Sequence, residues 1–315
     1  MMKEINILCP VYNESENIHF FISEFDRIIG KYSEKYKFTF YFADNCSTDD
    51  TLSILKEVAA TRGDVRVLGY AKNYGVMKSI YTGILNSKCD ALAVFDCDLQ
   101  DPPELLDKYI ALWEQGYSFV YGIRASRQEV RLLSWFRKAY KKIERMVNPN
   151  PVLVESGAWF LDNEIIDVMR RNNNFDSYLP GLLSRVAYNS IGVPYARVNR
   201  KFGTSKFNFF GYLNYARDGL LSGTITPLRI SVAIGLSLFV LSMLSSLYFL
   251  FAKFYLQIQF SNGIAALLVL TLTLFSFNFL ILGIFGEYLG RLYLARSTQE
   301  PAIILYDSDR ADKAN

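Results

Sequence analysis

The sequence predicts an α/β domain built on a mostly parallel sheet, followed by interfacial helices and two membrane-spanning helices. Three observations lead there. Short β-rich runs alternate with helical patterns over the first 125 residues, a basic amphipathic stretch follows, and the last third holds two long segments without a charged side chain. Alternation of the first kind builds a parallel sheet covered by helices on both faces.

The β-rich runs are Ile5 to Val11, Phe38 to Ala43, Val65 to Leu68, Ala91 to Phe95 and Phe119 to Tyr121. Helical patterns cover Glu16 to Ile29, Asp49 to Ala60, Val76 to Leu85 and Pro103 to Glu114. In open sheets ligands bind beyond the carboxyl ends of the strands, and polar motifs fall at four of those ends. They are Pro10-Val11-Tyr12-Asn13-Glu14, Asp44-Asn45-Cys46-Ser47-Thr48-Asp49, Lys72-Asn73-Tyr74-Gly75 and Asp96-Cys97-Asp98-Leu99-Gln100-Asp101. Each alone reads equally as a turn or a helix cap: Ser47 or Thr48 suits an N-cap, and Asn73-Tyr74-Gly75 suits a turn. Together they ring one crevice.

The acidic motif is the most informative of the four. Residues two apart on an extended strand share a face, so the carboxylates of Asp96 and Asp98 converge on one cation, and the Gln100 amide offers a further oxygen. That set suits Mg²⁺ or Mn²⁺ carrying phosphates, which needs one or two carboxylates and completes its shell with phosphate oxygens and water. The alternative is a pair of solvated loop carboxylates.

Between residues 130 and 147, Leu132, Leu133, Phe136, Ala139, Tyr140, Ile143 and Val147 recur at helical spacing among Arg131, Arg137, Lys138, Lys141, Lys142 and Arg145. This reads as a helix lying in an anionic headgroup layer, or else as a core helix with a solvated charged face. The aromatic stretch from Phe207 to Tyr212 also fits a membrane interface. Residues 230–252 and Phe254 to Gly286 carry no charge, and each exceeds the roughly 20 residues a helix needs to cross a hydrocarbon core. Arg229 precedes the first span and Arg291 and Arg296 follow the second, which predicts that both termini are cytoplasmic. The expected organisation is a cytoplasmic domain over 1–212, an interfacial segment over 213–229, spans over 230–252 and 264–288, and a cytoplasmic tail over 289–315 that is disordered after Tyr306.

The opening residues, with Lys3 and Glu4, do not form an apolar targeting segment. A net charge of +3 gives no case for nucleic acid. Cys9, Cys46, Cys89 and Cys97 lack paired metal-finger spacing and read as reduced structural thiols. Gly283, Gly286 and Gly290 offer small residues for helix packing, which suits a homo-oligomer.

These motifs resemble the inverting family 2 glycosyltransferases, in particular the polyprenyl-phosphate branch with two C-terminal spans that includes dolichyl-phosphate mannose synthase and the bactoprenol glucosyltransferases. The marks are Pro10 to Glu14, Asp96 to Gln100 with Pro102-Pro103-Glu104, Arg200-Lys201-Phe202-Gly203-Thr204-Ser205-Lys206, and Gly283-Ile284-Phe285-Gly286-Glu287-Tyr288-Leu289-Gly290-Arg291. The resemblance implies a GT-A-type nucleotide-sugar-binding fold. It further implies transfer of one hexose, taken as glucose from a uridine nucleotide, to undecaprenyl or another polyprenyl phosphate at the cytoplasmic face of the inner membrane. Pro10, Tyr12, Glu14, Asp44, Asn73 and Asp96 would hold the donor, and Asp96, Asp98 and Gln100 the metal. Arg124, Arg137, Lys138, Arg200, Ser205 and Lys206 would hold the acceptor phosphate, with Asp98, Arg124, Arg200 and Lys206 carrying catalysis.

One departure from that pattern is Gly157-Ala158-Trp159-Phe160-Leu161 where relatives commonly carry Gly-Asp-Phe-Arg-Leu. A phosphate monoester is already ionised near neutral pH, so loss of an acidic group there need not stop transfer; the segment is expected beside the acceptor or donor hexose. Two other readings are a processive polysaccharide synthase, which the absence of an Arg-Trp pair argues against, and an inactive membrane-tethered nucleotide-sugar-binding or scaffold protein.

Overall fold

The apolar runs become the central strands because nearly every side chain on them is covered from one face or the other. The computed structural model describes residues 2–124, 156–172, 179–198, 237, 251, 255, 263–297 and 301–311. Strands β1 (Lys3–Val11), β2 (Tyr36–Asp44), β3 (Val65–Tyr70), β4 (Ala91–Val94) and β5 (Phe119–Arg124) alternate with helices α1 (Ile18–Ile29), α2 (Thr51–Thr61), α3 (Val76–Asn86) and α4 (Leu105–Glu114). There follow β6 (Ser156–Asp162), α5 (Asn163–Asn172), α6 (Leu179–Val186), β7 (Ser190–Tyr195), α7 (Gly263–Ser297), β8 (Ile304–Asp307) and α8 (Ser308–Ala311).

The eight strands form one sheet in the order β7-β5-β6-β4-β1-β2-β3-β8. Pairs β1·β2, β1·β4, β2·β3 and β5·β7 are parallel, whereas β6 runs antiparallel between β4 and β5, and β8 antiparallel to β3. Because β6 reverses twice, β5 and β7 point the same way as β4. The carboxyl ends of β1 to β5 and β7 therefore share one edge of the sheet. Strand order reverses between β1 and β4, the switch point where a crevice opens.

Alternation along the strands sorts the core into two layers. Ile5, Ile7 and Cys9 face α1, α2 and α4 through Phe21, Phe25, Leu55, Tyr109 and Trp113. Leu8, Tyr41 and Leu68 face α3, α5 and α6 through Ile80, Tyr81, Ile165 and Leu183. Helix α3 approaches β1 closely at Gly83, where a Cβ would lie 2.6 Å from Leu8 Cδ1. The buried amide of Asn6 is satisfied by donating from Nδ2 to Ser87 Oγ at 2.7 Å.

The chain after Tyr306 is not a disordered tail where it is described. Strand β8 pairs with β3 as far as Asp307 against Leu68, and Ser308 Oγ accepts the Val67 N–H at 3.0 Å. An unpaired edge of β3 would expose a row of backbone groups, and β8 covers them. The expected interfacial helix over 130–147, the segment 213–229 and nearly all of the first expected span lie outside the described residues. Helix α7 covers the second expected span as a single helix of 35 residues. Among the described residues no helix is long and apolar enough to cross a membrane.

Candidate functional site

The loop after β1 and the loop after β2 are stitched into one wall. Asn45 N donates to the Val11 carbonyl at 2.9 Å, Asn13 N to Ser47 Oγ at 2.9 Å, and Thr48 N to Asn13 Oδ1 at 2.8 Å. Asn13 adopts φ 54° to make this turn, a left-handed conformation that Asn tolerates better than most residues. Ser47 and Thr48 are consequently not the N-cap of α2. Their side chains serve the neighbouring loop, and Asp49 Oδ1 accepts the Thr51 N–H at 3.0 Å instead.

Behind that wall lies Asp44, at the end of β2 and wholly buried. Its Oδ2 accepts the Ser47 N–H at 3.2 Å, while its Oδ1 is buried without a hydrogen-bond partner. Burial pushes the Asp44 carboxyl up from its ordinary value. An orphaned buried carboxylate oxygen is costly and marks a place where a ligand N–H or O–H would be welcome. Asn45 extends the surface, with Nδ2 donating to Asn73 Oδ1 at 2.9 Å and Oδ1 accepting the Tyr74 N–H at 2.9 Å. Asn73 Oδ1 also accepts the Gly75 N–H at 2.9 Å, and Gly75 has φ 85°. Asn73 thus closes a turn and contacts Asn45 as well. Pro10 and Tyr12 are partly buried at the same edge. Glu14 commits Oε2 to the Asn17 Nδ2 at 2.6 Å.

Across the switch point, the segment after β4 carries three carboxylates. Leu99 takes φ 50° and lets Asp98 Oδ1 accept the Gln100 N–H at 3.1 Å. Burial, Asp101 and Asp98 together push the Asp96 carboxyl up to about 7, opposed by Arg124 and Arg197. Asp101 is 3% exposed and accepts from Arg124 Nη2 at 3.2 Å and from the Tyr195 hydroxyl. Arg124 Nε donates to Tyr195 Oη at 3.0 Å, and Arg197 Nε lies 3.7 Å from Asp101 Oδ1. Val198 N donates to the Gln100 carbonyl at 2.9 Å, binding the chain after β7 to the acidic motif.

Among the described residues no group of three or more His, Cys, Asp or Glu side chains is arranged to hold a metal. Two carboxylates with phosphate oxygens and water nevertheless suffice for Mg²⁺ or Mn²⁺. The donor set fits such an ion: burial first, and then the Asp101 and Asp98 carboxylates, disfavour a charged Asp96, and a divalent cation beside it would offset both. Cys9 and Cys97, buried beside the motif, are free thiols, and burial raises the Cys9 thiol further.

Of the residues singled out in the sequence, Pro10, Tyr12, Glu14, Asp44, Asn73, Asp96, Asp98, Gln100 and Arg124 come to this one edge. Arg137, Lys138, Arg200, Ser205 and Lys206 lie outside the described residues. Sequence reasoning missed the roles of Asn45, Asp101, Tyr195 and Arg197; the apolar run from Ile191 to Tyr195, ending in a basic segment, was the signal for the last two. Ala158 lies on β6, the strand between β4 and β5. That residue is 2% exposed in β6 and packs in the core with Phe160, whose ring meets Tyr109 and Trp113 at 6.4 and 5.7 Å between centroids. Its backbone carbonyl accepts the Tyr109 hydroxyl at 3.0 Å.

Comparison with known proteins gives this edge a context. The profile described as Glycosyl transferase family 2 matches residues 6–172. The glycosyltransferase YkcC of Bacillus subtilis is 28% identical over 92% of this chain and 90% of its own length. The bactoprenol glucosyl transferase of Shigella phage SfX is 28% identical over 96% of this chain and 98% of its own. A mannosyltransferase from Pyrobaculum calidifontis, solved with GDP-Man and Mn²⁺, superposes with a TM-score of 0.45 at 16% identity, over 64% of this chain and 57% of that one.

Proposed function

Because the chain belongs to glycosyl transferase family 2, we propose that it transfers one hexose, glucose from a uridine nucleotide, to undecaprenyl or a related polyprenyl phosphate at the cytoplasmic face of a membrane. The observation that carries this reading is the meeting of two unlike halves at one sheet edge. An orphaned carboxylate oxygen at Asp44 lies on one side, and the Asp96, Asp98 and Asp101 carboxylates with Arg124 and Arg197 lie on the other. The first suits a nucleoside and the second a diphosphate and a phosphate acceptor. Glucose and the lipid are supported by the names of full-length relatives.

In this reading Asp44 accepts a base N–H or ribose O–H, Tyr12 packs on the base, and Pro10, Glu14 and Asn73 border the pocket. Asp96, Asp98 and Gln100 would hold Mg²⁺ or Mn²⁺, which supplies positive charge to the departing diphosphate. Arg124, with Arg200 and Lys206, draws the acceptor phosphate in and offsets its repulsion from the donor. Arg137, Lys138 and Ser205 are the further acceptor contacts of the same reading. A lipid phosphate oxygen attacks the anomeric carbon from the side opposite the diphosphate. The new C–O bond forms as the bond to the nucleotide breaks, so configuration inverts and the nucleoside diphosphate leaves. Holding both anions in one geometry supplies much of the acceleration.

The membrane part of the proposal rests on sequence. No charged side chain occurs from Phe254 to Gly286. Leu267, Leu270, Phe275, Leu282, Phe285 and Leu289 on α7 are exposed, a surface that water would not support and lipid would. At 1.5 Å per residue, about 20 residues of that uncharged run in helical form would match a bilayer core of about 30 Å.

The test is transfer of radiolabelled sugar from a panel of nucleotide sugars to undecaprenyl phosphate by the purified full chain in detergent. Product from UDP-glucose alone is expected. Product from a different donor would correct the sugar, and no product from any donor, with nucleotide binding intact, would favour a binding protein.

A further inference from the structure

Arg124 and Arg197 come from different strands, and one carboxylate holds both. Asp101 takes Arg124 Nη2 at 3.2 Å and stands 3.7 Å from Arg197 Nε, with the Tyr195 hydroxyl on the same oxygen as Arg197. Tyr195 in turn accepts from Arg124 Nε at 3.0 Å. Both the Nε and one terminal nitrogen of Arg124 are therefore fixed, and among the described residues its other terminal nitrogen, Nη1, has no partner. Arg197 Nε is buried without a hydrogen bond. The sequence makes room for this arrangement at Gly122, where a Cβ would stand 2.6 Å from Tyr195 Cε1 and 2.8 Å from Tyr109 Oη. The backbone bond from Val198 N to the Gln100 carbonyl, 2.9 Å, holds the Arg197 segment against the acidic motif.

A guanidinium that must meet a phosphate gains most when its plane is fixed beforehand, because two long side chains otherwise lose rotamer freedom on binding. We propose that Asp101 and Tyr195 are positioning residues that fix Arg124 and Arg197 as a two-arginine clamp for the acceptor phosphate. Arg197 is thereby a phosphate-binding residue, and Asp101 and Tyr195 act only through the arginines. This inference rests on the transferase reading above.

The experiment is a double-mutant cycle between Tyr195→Phe and Arg124→Ala in the purified full chain, read as lipid-phosphate transfer kinetics and, separately, as donor nucleotide affinity. Phenylalanine keeps the ring over Gly122 and removes only the hydroxyl. Tyr195→Phe is expected to lower kcat/KM for the lipid phosphate about tenfold, the weight of one hydrogen bond to a charged group. Donor affinity should stay within about twofold, and in the Arg124→Ala background the same change should cost less than about twofold. Arg197→Ala should raise KM for the lipid phosphate about tenfold, with Arg197→Lys recovering only part of the loss. Additive losses in the cycle, or a matching fall in donor affinity, would overturn the positioning role while leaving the transferase reading in place. Full activity in Arg124→Ala would overturn the clamp at its root, and absence of transfer by the wild-type chain would overturn the transferase reading itself.

Discussion

Arg66 on β3 and Asp307 on β8 lie 241 positions apart and form a forked ion pair, Nη2 to Oδ2 at 3.0 Å and Nε to Oδ1 at 3.2 Å. The same guanidinium reaches Asp309 at 2.9 Å and sits 5.0 Å from the centre of the Tyr41 ring. Beside it Ala71 N donates to the Ile303 carbonyl and Ala302 N to Thr82 Oγ1, each at 2.9 Å. The end of the chain thus braces the base of the turn that carries Asn73.

Removing the carboxylate would leave Arg66 mostly buried with only part of its shell. Asp307→Ala is expected to lower stability by about 2 kcal/mol, less than the loss for a fully buried pair because Asp309 remains. Thermal or denaturant unfolding measures it; a shift below about 0.5 kcal/mol would show that β8 is not held by this pair.

Asp44 sets stability against binding. Its carboxyl is raised by burial, and a carboxyl raised in the folded state contributes stability that is complete below the ordinary value and lost as pH rises through the folded value. At neutral pH the ionised group therefore weakens the empty protein. Asp44→Asn is expected to raise the unfolding midpoint at neutral pH, to match wild type below the ordinary carboxyl value of 3.8, and to weaken nucleotide binding at least about tenfold. Calorimetry across pH, with nucleotide titration, decides it. A variant that binds nucleotide as wild type does would remove Asp44 from the donor site.

Restoring an acid at Ala158 should not create a better enzyme. The position lies in the core layer with Phe160, so Ala158→Asp is expected to cost at least about 3 kcal/mol, the penalty for an unpaired buried charge. Unfolding and transfer measured side by side check this. Increased transfer with unchanged stability would place the side chain at the substrate.

At Gly122 an added methyl group would meet Tyr195 Cε1 at 2.6 Å, so Gly122→Ala is expected to displace the ring and reduce transfer at least as much as Tyr195→Phe. Overpacking of this kind costs about 1–3 kcal/mol. Wild-type kinetics in Gly122→Ala would mean that Tyr195 moves without consequence.

The first five strands and the four helices between them were legible because each is a local pattern: apolar runs of strand length alternating with helical spacing. The motifs at their carboxyl ends were legible for the same reason, since β-α alternation alone brings those ends to one edge. The later strands were not. Strand β7 contains Gly192 and Pro194, poor strand formers that an edge position tolerates. Strand β8 is four residues whose partners, Leu68 to Tyr70, are remote in sequence. Asp101 was visible as part of an acidic motif, but its service to Arg124 and Tyr195 depends on contacts across 23 and 94 positions, which no local period reports. Ser47 and Thr48 misled in the same way, since their hydroxyls serve a loop 34 and 35 positions away rather than the helix that follows.

The central claim is tested most directly by transfer of labelled glucose from UDP-glucose to undecaprenyl phosphate, compared between wild type and Asp98→Asn, each with Mg²⁺ and after chelation. The account predicts product from wild type with Mg²⁺, loss of product on chelation with recovery when Mg²⁺ is restored, and a rate at least about a hundredfold lower in Asp98→Asn. Transfer by Asp98→Asn at the wild-type rate, with or without chelator, would contradict it.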